Sequence, residues 1–282
     1  MTASIAVAIQ QAQQKFQGVS ETAKLDAELL LAHSLGKPRS YLYSWPDKTL
    51  SAAESEQFQT LVELRLKPTP VAYLLIEREF YSLTLKISPV ALIPRPETEL
   101  LVETALEYCA DIQHPKILEM GTGTGAISIA LLHERPDIEL TTTDISPECL
   151  ELAQANANLN GVSLNCIESD WFQNLDKNTR FDLIVSNPPY IAADDPYLQQ
   201  GDLPAEPLLA LTPGKSGLEA IQQIVSGATE RLCPGGYLML EHGFDQAESV
   251  AGLLRQAGFT DIQNLRDYSD HPRVSLGQCP QQ

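Results

Sequence analysis

The residues with the clearest chemical potential form the run Ser186-Asn187-Pro188-Pro189-Tyr190-Ile191, directly after the mostly apolar stretch 181–185. Such a stretch is typical of a buried strand. Pro188 lacks an amide hydrogen and biases Asn187 toward an extended backbone, so the chain is stiff where the strand ends. The Asn187 side-chain oxygen and the Pro188 carbonyl then offer two neighbouring acceptors for one –NH2 group. Because the Tyr190 ring can cover a flat amide or base, this run predicts the acceptor site of a nitrogen methyltransferase.

A glycine-rich turn provides a second candidate site. It consists of Gly121, Thr122, Gly123, Thr124 and Gly125, between a predicted strand and a predicted helix. Glycine allows the backbone to approach a ligand closely, and the N-terminus of a helix offers free N–H groups to an anion. Nicotinamide and flavin enzymes have similar turns, but the spacing G-x-G-x-G lacks the third interval that is typical of pyrophosphate binders.

Acidic and aromatic residues follow the next two predicted strands. Asp144 ends a strand 23 positions after Gly121, where a carboxylate can accept hydrogen bonds from ribose hydroxyls. Asp170 and Trp171 place a carboxylate and a flat ring where adenine would bind. S-adenosylmethionine carries a carboxylate, a ribose and an adenine, so the turn and these residues together predict a site for this methyl donor.

An alternation of strands and helices from about residue 115 positions both candidate sites. It predicts an α/β fold, with a doubly wound, mostly parallel sheet and helices on both faces. Because ligands bind at the carboxyl ends of such strands, the acceptor run and the donor turn should face one crevice. The predicted strands are 116–120, 139–143, 164–167, 181–185 and 237–240, with two more near 260 and 273, and the predicted helices are 98–110, 126–134, 147–159, 217–232 and 246–256.

Two boundaries of this pattern depend on proline and glycine. The helix 217–232 is predicted to end at Pro234-Gly235-Gly236. Residues 192–216 are rich in Asp, Pro and Gly and predict a long loop after the acceptor run.

The N-terminal part of the chain has a different pattern. Residues 1–72 predict a small helical domain, with one helix ending at Gly36 and another beginning at Ser51 with Glu54 as its capping box. Residues 73–93 predict a strand or hairpin that links two domains, because residues 80–87 alternate with period two. The methyltransferase domain is then expected over 94–282.

Composition limits the partners and the location of the protein. The net charge is −18, from 19 basic and 37 acidic residues, which argues against DNA binding. Every apolar run is much shorter than the about 18 residues that a membrane-spanning helix needs. The first residues do not resemble a signal peptide. The five cysteines and five histidines are scattered. We therefore expect a cytoplasmic monomer with free thiols, no metal site and no membrane contact.

The sequence resembles the release factor glutamine methyltransferases (HemK/PrmC family) over nearly its full length. One specific match is Leu92-Ile93-Pro94-Arg95-Pro96-Glu97-Thr98-Glu99. A second is the acceptor run combined with Glu206-Pro207 and Ala210-Leu211 downstream. Further matches are Leu25-Asp26-Ala27-Glu28-Leu29-Leu30, Pro70-Val71-Ala72-Tyr73 and Leu240-Glu241-His242-Gly243.

The resemblance implies methylation of the side-chain amide of the glutamine in the Gly-Gly-Gln loop of class I peptide chain release factors. It implies a helical domain that binds the release factor, joined by a β-hairpin to a class I methyltransferase domain with a seven-stranded, Rossmann-like sheet. By the same analogy, the glycine turn, Asp144, Trp171 and Asn187 contact the donor, and Asn187, Pro188, Pro189 and Tyr190 hold the glutamine. Arg95, Glu97 and Glu99 either line the approach to the glutamine or pair with each other, while Glu206, Glu241 and His242 are expected to be structural.

The sequence departs from the family pattern at three places. Ile76 stands where a hairpin glycine is usual, Glu119-Met120-Gly121 replaces Asp-Leu-Gly, and Gly214-Lys215 replaces a pair of glycines. Three alternative functions remain open from sequence: an adenine-N6 DNA methyltransferase that holds a flipped base, a non-catalytic donor-binding scaffold, and a nicotinamide oxidoreductase.

Overall fold

The computed structural model describes residues 3–67 and 69–281, and the chain divides into two compact units. The first unit contains the chain up to Glu77 together with Gln199–Ala205. The second unit contains Arg78–Leu198 and the chain from Glu206 onward. No helix within the described ranges is long and apolar enough to cross a membrane.

The described part of the first unit contains five helices around one apolar core. The core includes Ile5, Phe16, Leu30, Leu31 and Phe58, all buried. The helices are α1 (Ile5–Phe16), α2 (Ala23–Leu35), α3 (Arg39–Ser44), α4 (Ala52–Arg65) and α5 (Val71–Leu75).

Local sequence signals set the ends of two of these helices, and both predictions are confirmed. Helix α2 ends where Gly36 adopts the left-handed conformation, with φ of 57°. Helix α4 begins with a capping box: Ser51 Oγ accepts a hydrogen bond from the Glu54 N–H, and Glu54 Oε2 accepts one from the Ser51 N–H.

The alternating segment 80–87 is a hairpin rather than one strand. Strands β1 (Glu77–Phe80) and β2 (Leu83–Lys86) pair across a turn at Tyr81 and Ser82, which have φ of 51° and 60°. Positive φ at both turn residues matches the twist of a two-residue hairpin. Of the two predicted alternatives, a strand or a hairpin, the structure has the hairpin.

The second unit is built on a seven-stranded sheet, as the fold class predicts. The strands are β3 (Lys116–Met120), β4 (Glu139–Asp144), β5 (Asn165–Glu168), β6 (Phe181–Ser186), β7 (Leu232–Glu241), β8 (Thr260–Arg266) and β9 (Pro272–Gln278). Their spatial order is β5-β4-β3-β6-β7-β9-β8, and only the pairs of β9 with β7 and β8 are antiparallel.

Helices cover this sheet in two groups. Helix α7 contacts α6 and α8, and α10 contacts α11, as expected for a doubly wound fold. The helices are α6 (Glu99–Tyr108), α7 (Ala126–Glu134), α8 (Pro147–Leu159), α9 (Leu208–Leu211), α10 (Glu219–Ala228) and α11 (Ala247–Gln256). The predicted bounds of α7 and α8 are confirmed.

The predicted helix 217–232 is too long, because Pro234-Gly235-Gly236 lies inside a strand. Helix α10 ends at Ala228, and β7 already begins at Leu232. The pairing of β7 with β6 shifts register between Phe181 and Leu183, and a Cβ at Gly236 would lie 2.7 Å from the Asp182 carbonyl oxygen. These residues therefore form an irregularity in the strand, where glycine permits close backbone approach.

The segment 192–216 also has more structure than the predicted loop. It contains α9 and two short 3-10 turns, Pro196–Gln199 and Leu203–Ala205. Its residues Gln199–Ala205 pack with the first unit. Within that unit Arg65 bonds to both Asp26 and Asp202, each at 2.9 Å.

Candidate active site

The carboxyl ends of β4, β3 and β6 surround a cavity of about 390 Å³. The chain order reverses between β3 and β6, and in open α/β sheets ligands bind at such a switch point. Gly121, Asp144 and Asn187 lie at the ends of these three strands, and all three line the cavity. The tertiary structure thus brings the predicted donor turn and the predicted acceptor run to one site.

Contacts with β4 and α8 hold the glycine-rich turn in place. The N–H groups of Gly121 and Thr122 donate to the Thr143 carbonyl at 2.8 and 3.0 Å. Gly125 has φ of 81°, and a Cβ there would lie 3.1 Å from the Ala153 Cβ, so a side chain would be strained and crowded. Gly125 packs against α8, whereas Gly121, Thr122, Gly123 and Thr124 line the cavity.

Asp144 is fixed by backbone donors on both oxygens. Its Oδ2 atom accepts a hydrogen bond from the Gly123 N–H, and its Oδ1 atom accepts one from the Ser146 N–H, each at 2.9 Å. Burial raises the pKa of this carboxyl, and the backbone N–H donors oppose that rise. The carboxylate is therefore held in one orientation at the cavity wall, where it can accept further hydrogen bonds from hydroxyl groups.

Glu119 is a buried carboxyl that also lines the cavity. Its Oε2 atom accepts hydrogen bonds from the hydroxyls of Thr122 at 3.1 Å, of Thr142 at 3.0 Å and of Ser128. Burial raises the pKa of Glu119 to about 7, although these hydroxyls favour the charged form. The carboxyl thus connects β3, β4, α7 and the glycine turn beneath the cavity.

Asp170 and Trp171 lie on the cavity wall, as predicted. Trp171 has φ of 48°, which is unusual for an aromatic residue, and its carbonyl accepts a hydrogen bond from the Ser169 hydroxyl at 2.9 Å. The Trp171 ring also packs against the hydrophobic core. Residues held in strained backbone conformations occur preferentially at ligand sites, which agrees with a role for this ring in binding.

Asn187 presents a free acceptor to the site. Its Nδ2 atom donates to the Thr98 hydroxyl at 3.1 Å. Its Oδ1 atom is buried and has no hydrogen-bond partner among the described residues. A buried acceptor of this kind costs about 1–3 kcal/mol, so its lack of a partner suggests that a ligand supplies the donor.

The rest of the acceptor run has two different environments. Pro189 lines the cavity, whereas Pro188 and Tyr190 are not part of that lining. The Tyr190 hydroxyl donates to Glu241 Oε1 at 3.4 Å, and the Tyr190 carbonyl accepts a hydrogen bond from Gln246 Nε2 at 2.9 Å. Burial, with Glu241 nearby, raises the pKa of Tyr190 well above its usual value.

Arg95 pairs with a distant acidic residue, Glu206, and not with its sequence neighbours Glu97 and Glu99 among the described residues. Arg95 lines the cavity and forms an ion pair with Glu206, which also accepts a hydrogen bond from the Ile93 N–H at 3.0 Å. Glu99 accepts a hydrogen bond from the Tyr81 N–H at 2.9 Å, and Glu97 does not line the cavity. Arg95 therefore forms a structural ion pair, but its partner is Glu206 and not Glu97 or Glu99.

Sequence reasoning missed Thr98 and Asn156, which organise this site together with Glu206, a residue that was expected to be structural. Thr98 holds the Asn187 amide, and Glu206 joins the segment before α6 to the segment that begins at Pro207. Asn156 connects β2 to the glycine turn: it bonds to the Lys86 N–H and carbonyl and donates to the Thr124 carbonyl at 2.9 Å. Thr98 and Glu206 lie inside segments that carry the family resemblance, which is the only sequence signal for them.

His242 is fully buried, as its expected structural role requires. Its Nδ1 atom lies 2.8 Å from the Gly243 carbonyl, and its Nε2 atom lies 2.7 Å from the Ser275 hydroxyl. Burial lowers the pKa of this imidazole. It does not line the cavity.

Both parts of the chain are similar to known proteins. Residues 7–75 match the PrmC N-terminal domain, and residues 96–200 match the methyltransferase small domain. A release factor glutamine methyltransferase from Vibrio cholerae is 45% identical over 99% of this chain and 98% of its own length. Another from Salmonella typhimurium is 42% identical over 92% of this chain and 93% of its own length.

Solved structures show the same fold at lower identity. A methyltransferase from Pyrococcus furiosus covers 79% of this chain and 98% of its own, with a TM-score of 0.51 and 16% identity. A 16S rRNA methyltransferase from Thermus thermophilus, in complex with AdoMet and guanosine, covers 72% of this chain and 49% of its own, with a TM-score of 0.54 and 21% identity. The full-length similarity to curated relatives, together with this fold, shows that the chain belongs to the release factor glutamine methyltransferases, a family of S-adenosylmethionine-dependent enzymes.

Proposed function

We propose that this chain transfers a methyl group from S-adenosylmethionine to the side-chain amide nitrogen of the glutamine in the Gly-Gly-Gln loop of class I peptide chain release factors. The buried, unpartnered Asn187 Oδ1 atom carries this proposal, because an incoming amide N–H would satisfy it. The names of the curated relatives support the choice of a release factor glutamine over an adenine base.

The cavity lining suits the methyl donor. The Asp144 carboxylate is oriented to accept hydrogen bonds from ribose hydroxyls, and the Trp171 ring offers a flat surface to adenine. The glycine turn and the N-terminus of α7 provide backbone N–H groups for the carboxylate of the donor. When bound, S-adenosylmethionine supplies an electrophilic methyl group on a positively charged sulfur, and such a transfer needs no metal ion.

The protein contributes mainly orientation. An amide nitrogen is a weak nucleophile because its lone pair is delocalised into the carbonyl group. Asn187 Oδ1 would accept one hydrogen of the glutamine –NH2 group and the Pro188 carbonyl the other, which aims the nitrogen toward the methyl group. Orientation of this type can supply about 7–11 kcal/mol at its upper limit. Tyr190 is proposed to stack on the amide plane.

The remaining assignments follow the family. We propose that residues 1–72 bind the release factor, that residues 73–93 link the domains, and that residues 94–282 carry the methyltransferase site. Arg95, Glu97 and Pro189 are proposed to contact the substrate. The net charge of −18 supports a protein partner over DNA. We further propose a cytoplasmic monomer that makes no direct membrane contact.

The test is mass spectrometry of a purified class I release factor after incubation with this protein and S-adenosylmethionine. We expect one added methyl group on the glutamine of the Gly-Gly-Gln loop. The Asn187→Ala variant should lose most turnover but bind the donor with near-normal affinity. Asn178→Ala is the matched control, since Asn178 is exposed and does not line the cavity.

The other outcomes discriminate between the alternative functions. Near-normal turnover in Asn187→Ala would contradict the assigned acceptor. Methylation of adenine in oligonucleotides, with none on the release factor, would favour the DNA methyltransferase. Donor binding without any transfer would favour the scaffold, and binding of NADH would favour the oxidoreductase.

A further inference from the structure

The Asn187 side chain can present two opposite faces to a substrate. With Oδ1 toward the site it accepts a hydrogen bond from an –NH2 group, and after a half-turn about its terminal bond it presents its own –NH2 group instead. Two –NH2 groups cannot bind each other in this way. The acceptor function assigned under the proposed function therefore requires something that holds the Asn187 amide in the first orientation.

Thr98 is placed to provide that control. Thr98 is buried, with a relative exposure of 4%. The residue lies directly before α6, at the end of a 3-10 turn. Its hydroxyl accepts the hydrogen bond from Asn187 Nδ2 at 3.1 Å. Thr98 also lines the cavity beside Asn187, so this bond forms at the site itself.

A hydroxyl can also donate, and donation to Asn187 would favour the wrong orientation. Glu241, fully buried at the end of β7, lies close to Thr98, and the Thr98 hydroxyl lowers the pKa of this carboxyl. Glu241 Oε2 accepts no hydrogen bond from the described residues, so this oxygen is able to accept one. An anionic Glu241 therefore favours the rotamer in which the Thr98 proton points toward Glu241 and away from Asn187.

We propose that Thr98 is a positioning residue for the methyl acceptor: it orients the Asn187 amide, and Glu241 orients the Thr98 hydroxyl. This inference rests on the proposed function for its consequence in catalysis, but the orientation of the amide is measurable without any transfer. The charged and titratable groups that influence Glu241 are Tyr190, Arg273 and Glu97.

The experiment compares Thr98→Val with Thr98→Ser, and uses Thr104→Val as the matched control. Thr104 is also buried and lies in α6, but among the described residues its hydroxyl bonds only to the Leu100 carbonyl of the same helix. Loss of one hydrogen bond predicts a fall in kcat of about threefold to tenfold for Thr98→Val, with the Kd for S-adenosylmethionine unchanged. Thr98→Ser should restore kcat, because it keeps the hydroxyl.

Nuclear magnetic resonance of protein labelled at asparagine provides a readout that needs no turnover. The Asn187 side-chain –NH2 signal, assigned by its loss in Asn187→Ala, should show one proton shifted by the hydrogen bond to Thr98. The shift should disappear in Thr98→Val and persist in Thr98→Ser and Thr104→Val.

Two results would overturn the inference: an Asn187 signal that is the same in wild type and Thr98→Val, or a kcat for Thr98→Val equal to that of Thr104→Val. If wild-type protein transfers no methyl group to a release factor but the Asn187 signal responds to Thr98→Val as expected, the proposed function fails while the positioning role stands.

Discussion

Glu206 offers the most informative perturbation of the cavity walls. Its side chain is fully buried and bonds to the Ile93 N–H at 3.0 Å and to Arg95. The segment around Ile93 and the segment that begins at Pro207 both line the cavity through their neighbours Leu92, Pro94, Pro207 and Leu209. Removing the carboxylate in Glu206→Ala should therefore loosen two walls at once and weaken donor binding.

The structure sets the size of the effect. The Ile93 N–H loses a hydrogen bond to a charged acceptor, which is worth about 1.5–3 kcal/mol. The Arg95 side chain is 33% exposed, so its ion pair adds no more than about 1 kcal/mol. If most of this loss falls on binding, Glu206→Ala should raise the Kd for S-adenosylmethionine by at least about tenfold, since about 1.4 kcal/mol is a factor of ten.

Calorimetric titration with S-adenosylmethionine is the appropriate assay. Glu206→Gln keeps an oxygen for the Ile93 N–H but loses the ion pair, so its Kd should rise only about threefold to fivefold. Glu139→Ala is the control, because Glu139 also forms an ion pair, with Lys116, but both side chains are exposed. Its Kd should match that of wild type.

Two outcomes would refute this reasoning. Wild-type affinity in Glu206→Ala, with the variant folded by circular dichroism, would show that the two segments hold the cavity without Glu206. Equal losses in Glu206→Gln and Glu206→Ala would show that the ion pair, and not the bond to Ile93, dominates.

Three further predictions concern other parts of the chain. At saturating donor, kcat should fall as the pH drops through about 7, because burial raises the pKa of Glu241 to about 7 and the proposed orientation of Thr98 requires the charged form of Glu241. A pH-rate profile of Glu241→Gln should lack this fall. Ile76 is 65% exposed and has φ of 61°, a left-handed conformation that strains any residue with a Cβ atom. Ile76→Gly should therefore be more stable than Ile76→Ala by about 1 kcal/mol in urea unfolding. Equal free energies of unfolding for the two variants would contradict this explanation. Arg65→Met should lower the free energy of unfolding by about 3–5 kcal/mol, because it leaves the buried carboxylate of Asp26 without its ion-pair partner. Thermal unfolding with no decrease in Tm would refute this.

Local patterns predicted much of the fold because their causes are local. The capping box at Ser51 and the Gly36 stop depend on residues within one helical turn, and the end of α2 and the bounds of α7 and α8 agree with the prediction. The prediction of a helix end at Pro234-Gly235-Gly236 was wrong because the conformation of this run depends on the neighbouring strand. The Asp182 carbonyl approaches Gly236 from the adjacent strand, and only that contact converts a helix-stop signal into a strand irregularity.

By itself the sequence determined the chemical groups of the site and the strand ends on which they lie. Gly121, Asp144 and Asn187 each follow or end a strand, and parallel strands bring their carboxyl ends to one edge. The tertiary structure alone decided which partners orient these groups. Thr98 lies 89 positions from Asn187, and Glu206 lies 113 positions from Ile93. Hydrogen bonds between residues so far apart in sequence depend on how distant segments pack together. No local pattern of residues can predict that packing.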